Sequence, residues 1–252
     1  MLGNAHALVT GGSRGIGAAI SRALTVAGAR VTVLGRDAEA LAAVVQAGDA
    51  QAFVVADMTD EAAITAACAE AARASGAIDI LVNNAGAAHS APFGRTSTAD
   101  LRRMLELNLI GPAIASRLVL PAMVERGFGR IVNVASTAAL RGYAYVSAYA
   151  AAKHGLMGLT RSLALEVATT GVTVNAVCPG FTDTDLISKS IDLIVSKSGR
   201  SVEQARAEFT RANPQGRLIQ PAEVAEAVVY LCGGGAASVT GVGLIIAGGE
   251  IQ

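Results

Sequence analysis

Tyr149 and Lys153 stand four residues apart in an alanine-rich stretch, Tyr145 to Thr169, that reads as a helix. At that spacing they project from one face, about a turn from each other. A phenol beside an ammonium can hand a proton to an alkoxide or take one from an alcohol, and the positive charge favours the phenolate. Bringing a phenol from about 10 to about 7 takes roughly 4 kcal/mol of differential stabilisation, which asks for a further charge and a partly desolvated cleft. Ser136, 13 residues before Tyr149, follows an apolar run, where its hydroxyl can hydrogen-bond a substrate oxygen. No G-x-S-x-G elbow surrounds this serine, so it does not read as a nucleophile. His6, His89 and His154 lack a motif that would make any of them its partner, and read as loop or core residues. Tyr143, Tyr145 and Ser147 compete for the same roles, but only Tyr149 has a lysine four residues on.

A second chemical feature lies near the N-terminus, in Thr10-Gly11-Gly12-Ser13-Arg14-Gly15-Ile16-Gly17. Gly11 permits a tight turn, Gly15 lets backbone approach a diphosphate, and Gly17 lets the following helix pack closely on a sheet. The helix N-terminus adds unpaired N–H groups and the positive end of the helix dipole, so an anion belongs here. A merely structural strand–helix turn would read the same way in isolation.

The elements that must position these groups alternate. Short β-branched runs at Ala7–Thr10, Arg30–Leu34, Gln51–Val55, Ile80–Asn83, Gly129–Val134, Val172–Val177 and Leu244–Ala247 are apolar enough for burial on both faces. Between them lie helical stretches at about Gly15–Ala27, Ala38–Ala47, Glu61–Ala74, Ala99–Glu125, Tyr145–Thr169 and Pro221–Cys232. This pattern predicts an α/β fold: one Rossmann-type domain over 1–252, with a doubly wound parallel sheet of seven strands and helices on both faces. The segment from about Leu186 to Gln215 breaks the rhythm, is richer in Lys, Arg and Ser, and follows a strand's carboxyl end. It reads as a substrate lid or as a surface excursion. Within 99–125, Pro112 lacks the N–H that would bond the carbonyl of Asn108, so the helix should kink there. That kink can hold a water or face the surface without chemistry.

The composition narrows the function. The 252 residues are 52% hydrophobic and 16% charged, enough to bury a large core. Twenty basic and twenty acidic residues cancel without a basic cluster, which argues against nucleic acid as a partner. Cys68, Cys178 and Cys232 lie far apart without CxxC spacing, so no metal site and no disulfide framework is expected, only buried thiols. The first residues, Met1 to Thr10, carry no secretory signal pattern, which reads as cytoplasmic. Ala227 to Gly249 is 23 residues without a charge, but its glycines fit a helix end, a loop and a strand better than a membrane span.

Gly-x3-Gly-x-Gly, Asn83-Asn84-Ala85-Gly86, Ser136, Tyr149-x3-Lys153 and Pro179-Gly180, in this order and spacing, resemble the short-chain dehydrogenase/reductase family over essentially the whole chain. The resemblance implies an oxidoreductase that moves a hydride between a nicotinamide cofactor and a secondary alcohol or ketone, commonly as a homotetramer. It implies a catalytic set of Asn108, Ser136, Tyr149 and Lys153, with Asn108 completing a proton relay to solvent. Cofactor contacts would come from Gly11, Ser13, Arg14, Ile16 and Gly17, from Asp57 and Met58 at the adenine, and from Asn84, Ala85 and Gly86 at the ribose. Tyr149 and Lys153 would also touch the cofactor, and Pro179, Gly180, Thr182 and Thr184 would cover the nicotinamide end. At the end of the second strand, Leu34-Gly35-Arg36 offers no carboxylate to repel a 2′-phosphate, and Arg36 and Arg14 resemble the pairing in NADP(H)-preferring members. NADP(H) is therefore expected over NAD(H), unless both arginines are merely solvated and Asp37 holds the ribose. Asp60 reads as a helix cap. The overall pattern is similar to 3-oxoacyl-thioester reductases and 3-hydroxyacyl dehydrogenases, with Lys189, Lys197, Arg200 and Arg206 available to a carrier's phosphates. Steroids, sugars and cyclic alcohols use the same scaffold. A non-catalytic cofactor-binding subunit and a redox-sensing module are the readings from other classes.

Overall fold

The computed structural model describes residues 2–251; Met1 and Gln252, the ends of the expected domain, and the side chain of Leu186, where the expected lid begins, lie outside what it describes. Strands β1 (His6–Thr10), β2 (Arg30–Gly35), β3 (Ala52–Val55), β4 (Ile80–Asn83), β5 (Gly129–Val134), β6 (Val172–Pro179) and β7 (Gly243–Ile246) form one sheet in the order β3-β2-β1-β4-β5-β6-β7. Every pairing is parallel. Helices α1 (Gly15–Val26), α2 (Ala38–Gln46), α3 (Glu61–Ser75), α4 (Thr98–Leu105), α5 (Gly111–Glu125), α6 (Ser147–Glu166), α7 (Asp185–Ser198), α8 (Val202–Thr210) and α9 (Pro221–Cys232) connect and cover the strands.

The period of two along each strand divides the core. In β1, Ala7 and Val9 face α1, α2 and α9, where Ile20, Leu24, Leu41, Val224 and Val228 are buried. Leu8 faces the opposite layer, with Ile64 of α3, Val119 and Met123 of α5 and Ala164 of α6. The chain reverses between β1 and β4, and the crevice beyond their carboxyl ends is where such sheets take ligands.

The expected elements are present, with informative departures. At the edge, Phe53 and Val55 of β3 stand partly out of the core, so this strand is not covered on both faces as expected. The helical run 99–125 is interrupted by a π-helical turn over Glu106–Ile110, where Gly111 N–H reaches back to the Glu106 carbonyl. Pro112, placed just beyond, cannot sustain regular pairing, and the wider turn absorbs the mismatch. The next helix begins at Ser147 rather than Tyr145, because Tyr145 takes a left-handed backbone, φ +69°, and cannot belong to it. Segment 186–215 holds α7 and α8, whose Ile187, Ile191 and Ala205 pack with Leu218 from the following chain into a separate small apolar cluster. Asp60 caps α3 as expected, accepting from Ala62 and Ala63 N–H. The uncharged stretch 227–249 is the end of α9, a short turn and β7.

Candidate active site

The glycine loop leaves β1 and enters α1. Gly11 and Gly15 are left-handed, φ +65° and +53°, conformations that side chains resist. At Gly17 a Cβ would lie 2.1 Å from the Gly11 carbonyl oxygen and 2.5 Å from Asn84 Nδ2. Asn84 Nδ2 donates to the carbonyls of Thr10 and Gly11, both at 3.0 Å, and the Thr10 hydroxyl accepts from Asn84 and Ala85 N–H, both at 3.0 Å. The motif after β4 is thereby stapled to the glycine loop, a scaffolding role that the sequence reading did not give to Thr10 or Asn84. Arg14, the N-cap of α1, makes no side-chain cap, so the first turn presents its N–H groups outward. The cradle fits a diphosphate: small, left-handed, positive-ended and floored by backbone. Gly17→Ala forces a Cβ into backbone that cannot move without the loop. A loss of about 1–3 kcal/mol in urea unfolding, together with weakened cofactor binding, is expected.

Around the cradle, Arg36 is 73% exposed, with its guanidinium 3.6 Å from the Asp57 carboxylate. Asp57 accepts from the Thr59 N–H at 2.9 Å and hydroxyl at 2.8 Å, bonds that hold its carboxyl below the usual range. Asp37 is used as the cap of α2, accepting from Ala40 N–H at 3.1 Å. Met58 is buried in the core, and its carbonyl oxygen packs against Gly111, where a Cβ would lie 2.3 Å from it, so of the pair Asp57 is the more exposed member. Ser13 lies on the loop and Ile16 in the first turn of α1, both half-buried.

Beyond β5 and β4 the acid/base candidates converge. Lys153 is buried, 4% exposed, and its Nζ donates to the Val134 carbonyl at 2.8 Å. The same Nζ is 5.7 Å from the Tyr149 ring centroid. Burial brings the lysine down to about 8. The Tyr149 phenol faces the Ser136 hydroxyl; burial raises it above the ordinary tyrosine value and the bond to Ser136 acts in the opposite sense. The expected depression of the phenol is therefore not produced by the lysine within the protein alone. Its ammonium is committed to a β5 carbonyl, and desolvation of the phenolate prevails. Ser136 also accepts from Ala138 N–H at 3.1 Å, which fixes the start of a 3₁₀ turn over Thr137–Ala139.

Asn108 sits in the π turn, fully buried. Its Nδ2 donates to the carbonyls of Ala87 and Met104, each at 3.0 Å, and its Oδ1 has no partner among the described residues. A Cβ on Gly86 would lie 2.8 Å from that oxygen and 3.7 Å from Lys153 Nζ, so the glycine is the opening through which the two groups approach. The kink thus turns inward, and the surface-facing alternative is excluded.

The remaining candidates sort by contact. Tyr143 bonds through its hydroxyl to the Glu250 carboxylate, and burial pushes it up to about 12; Tyr145 is 64% exposed. Neither meets Ser136 and Lys153 as Tyr149 does. His6 is a core residue between the Gly76 carbonyl, 2.7 Å, and the Thr32 hydroxyl, 2.9 Å. The three thiols are buried and free. Pro179 is the last residue of β6 and Gly180 follows it; the Thr182 hydroxyl donates to the Gly180 carbonyl at 3.0 Å, and Thr184 Cγ2 comes within 3.3 Å of where a Gly15 Cβ would lie. Thr184 thus closes over the glycine loop. Of the basic residues of the 186–215 segment, Arg206 pairs with Asp183 at 3.2 Å and Arg200 with Glu208, while Lys189 and Lys197 are exposed without an ion pair among the described residues.

The model of the family described as short chain dehydrogenase matches residues 5–194. A D-beta-hydroxybutyrate dehydrogenase of Cupriavidus necator is 41% identical, over 96% of this chain and 95% of its own. A 3-oxoacyl-acyl-carrier-protein reductase of Vibrio harveyi is 38% identical, over 96% of each. Among solved structures, an actinorhodin polyketide ketoreductase variant with NADPH superposes with a TM-score of 0.92 at 39% identity, covering 99% of this chain and 98% of that one.

Proposed function

From the premise that this chain belongs to the short-chain dehydrogenase family and is an oxidoreductase acting on CH–OH groups, we propose that it is an NADP(H)-dependent ketone reductase working on 3-oxoacyl thioesters or related compounds, as a cytoplasmic homotetramer. The observation that carries the reading is the convergence at one crevice of a Tyr149 phenol facing Ser136, a buried Lys153 and an Asn108 oxygen with no partner among the described residues.

The loop residues Gly11, Ser13, Ile16 and Gly17 would hold the diphosphate, Asp57 and Met58 the adenine, and Asn84 to Gly86 the ribose. Pro179, Gly180, Thr182 and Thr184 would cover the nicotinamide, with α7 and α8 as the lid. The nicotinamide, when bound, supplies or accepts the hydride. Ser136 orients the substrate oxygen. Tyr149 delivers a proton to that oxygen in reduction and removes it in oxidation, and its elevated position keeps the phenol protonated and ready to donate near neutrality. Lys153 binds ribose hydroxyls and, once charged beside the phenol, eases its deprotonation. A water at Asn108 Oδ1 would return protons to Lys153 through the gap at Gly86.

NADP(H) is supported by Gly35 in place of an acid, by Arg14 at the start of α1 and Arg36 just past β2, the helix and strand that follow and pair with β1, and by the commitment of Asp37 to its helix cap. Arg36→Ala should raise KM for NADPH about tenfold and leave KM for NADH within about twofold. Equal loss for both cofactors, or a wild-type preference for NADH, overturns the arginine argument. A panel of ketones and acyl thioesters followed by nicotinamide absorbance with both cofactors tests the reaction itself. Tight cofactor binding without turnover on any of them would instead leave a binding subunit.

A further inference from the structure

Glu250 lies far outside every motif used above, yet its carboxylate stands between two loops of the proposed site. One oxygen accepts the Tyr143 hydroxyl, in the loop that joins Ser136 to Tyr149. The other lies 2.9 Å from where a Gly180 Cβ would be, against the turn that leaves β6. Arg141 adds to the contact, with its guanidinium 4.7 Å from the Tyr143 ring centroid and one nitrogen 3.5 Å from the Glu250 backbone carbonyl. From Tyr143 the contact continues edge-to-face to Phe181, 6.5 Å between centroids, and on to Phe209 of α8, 5.2 Å. One wall therefore runs from the C-terminal segment through the Ser136–Tyr149 loop to the lid.

We propose that Glu250 and Tyr143 are a positioning pair that fixes the width of the substrate cleft by stapling the Ser136–Tyr149 loop to the Gly180 turn. The inference rests on the reductase reading for its effect on substrate, but the staple itself is a property of the free protein. The other end of the loop is already held, since the Tyr145 carbonyl accepts Ala91 N–H at 2.8 Å. Leu140 and Arg141 N–H reach back to the Thr137 carbonyl within the loop, and Glu250 adds the side-chain anchor that ties the loop across to the Gly180 turn. The phenol, held neutral by burial and by the carboxylate, stays a donor over the working range of pH and does not compete with Tyr149 for the proton. A hydrogen bond to an ionised acceptor is among the stronger ones, so its loss should register clearly.

The test compares Tyr143→Phe, Glu250→Leu, Glu250→Gln and the double variant Tyr143→Phe/Glu250→Leu with the parent. Hydrogen exchange of the cofactor-free protein should run about tenfold faster in peptides covering 140–146 and 180–182 in Tyr143→Phe and Glu250→Leu, while α2 is unchanged. With ethyl 3-oxobutanoate and saturating NADPH, each of these two should raise KM about tenfold with kcat altered less than threefold. The double variant should be no worse than about twice either single one, since both remove the same contact. Glu250→Gln, which keeps an acceptor oxygen, should remain within about threefold of the parent. Unchanged exchange in both loops, or single effects that multiply in the double variant, overturns the staple. So does a Glu250→Leu variant that lowers the melting temperature and kcat together at constant KM, which is the mark of a structural role only. If the exchange responds but the parent reduces no ketone, the staple stands and the reductase reading falls.

Discussion

Tyr149→Phe is expected to lower kcat by about 10²–10⁴-fold, the range spanned by a positioned proton donor, while Kd for NADPH in fluorescence titration stays within a few-fold of the parent. The substitution removes one oxygen and keeps the ring that packs near Lys153, so the crevice should retain its shape. Ser136 loses the hydroxyl it faces but keeps the bond from Ala138 that fixes its turn. A loss confined to the chemical step is the signature of a group used in the transition state. The direction of the phenol's shift adds a pH dependence. Because Tyr149 lies above the ordinary tyrosine value, reduction should hold its rate through neutrality, and alcohol oxidation should quicken as pH rises and phenolate accumulates. A residual kcat near that of the parent would remove Tyr149 from the mechanism.

Lys153→Met should abolish activity and yet make the cofactor-free protein more stable at pH 7. Burial lowers the lysine from 10.5 to about 8, so the folded state gives up its proton more readily than the unfolded chain. Between those two values the unfolded state binds more protons, and stability contributed by this group rises with pH; below about pH 8 the full cost of the buried charge is present. That cost is about 3 kcal/mol, offset in part by the bond from Nζ to the Val134 carbonyl, worth about 1 kcal/mol. Methionine fills the same space without charge, so the net gain is about 2 kcal/mol, or a melting temperature higher by several degrees for a chain of this size. The difference between parent and variant isolates the lysine, because the buried thiols titrate in both. It should shrink as pH rises from about 8 toward 10.5. A variant less stable than the parent at pH 7 would mean that the ammonium is stabilised where it stands. The expected trade, stability held back for a buried cation, is the reason to regard Lys153 as functional rather than structural.

Much of this protein was legible without coordinates because its signals are local. Alternating apolar runs and amphipathic stretches specify strands and helices one segment at a time, and the glycine positions of the first loop state their own backbone needs. Tyr149 and Lys153 share a helix face by spacing alone, and Pro112 announces an interruption by its missing N–H. What the local signals could not supply is the partner each group finds across the fold. The ammonium of Lys153 goes to a carbonyl 19 residues away in β5, and the phenol of Tyr143 meets Glu250 at a separation of 107 residues. Asn84 closes onto the glycine loop across 73 residues. Each was decided by the order of strands in the sheet, which brings the carboxyl ends of β1, β4, β5 and β6 together at one edge. The shift in a pKa follows the same division. Residue type sets the reference value, but desolvation and the choice of hydrogen-bond partner set the departure, and both depend on which distant segments exclude water from the site.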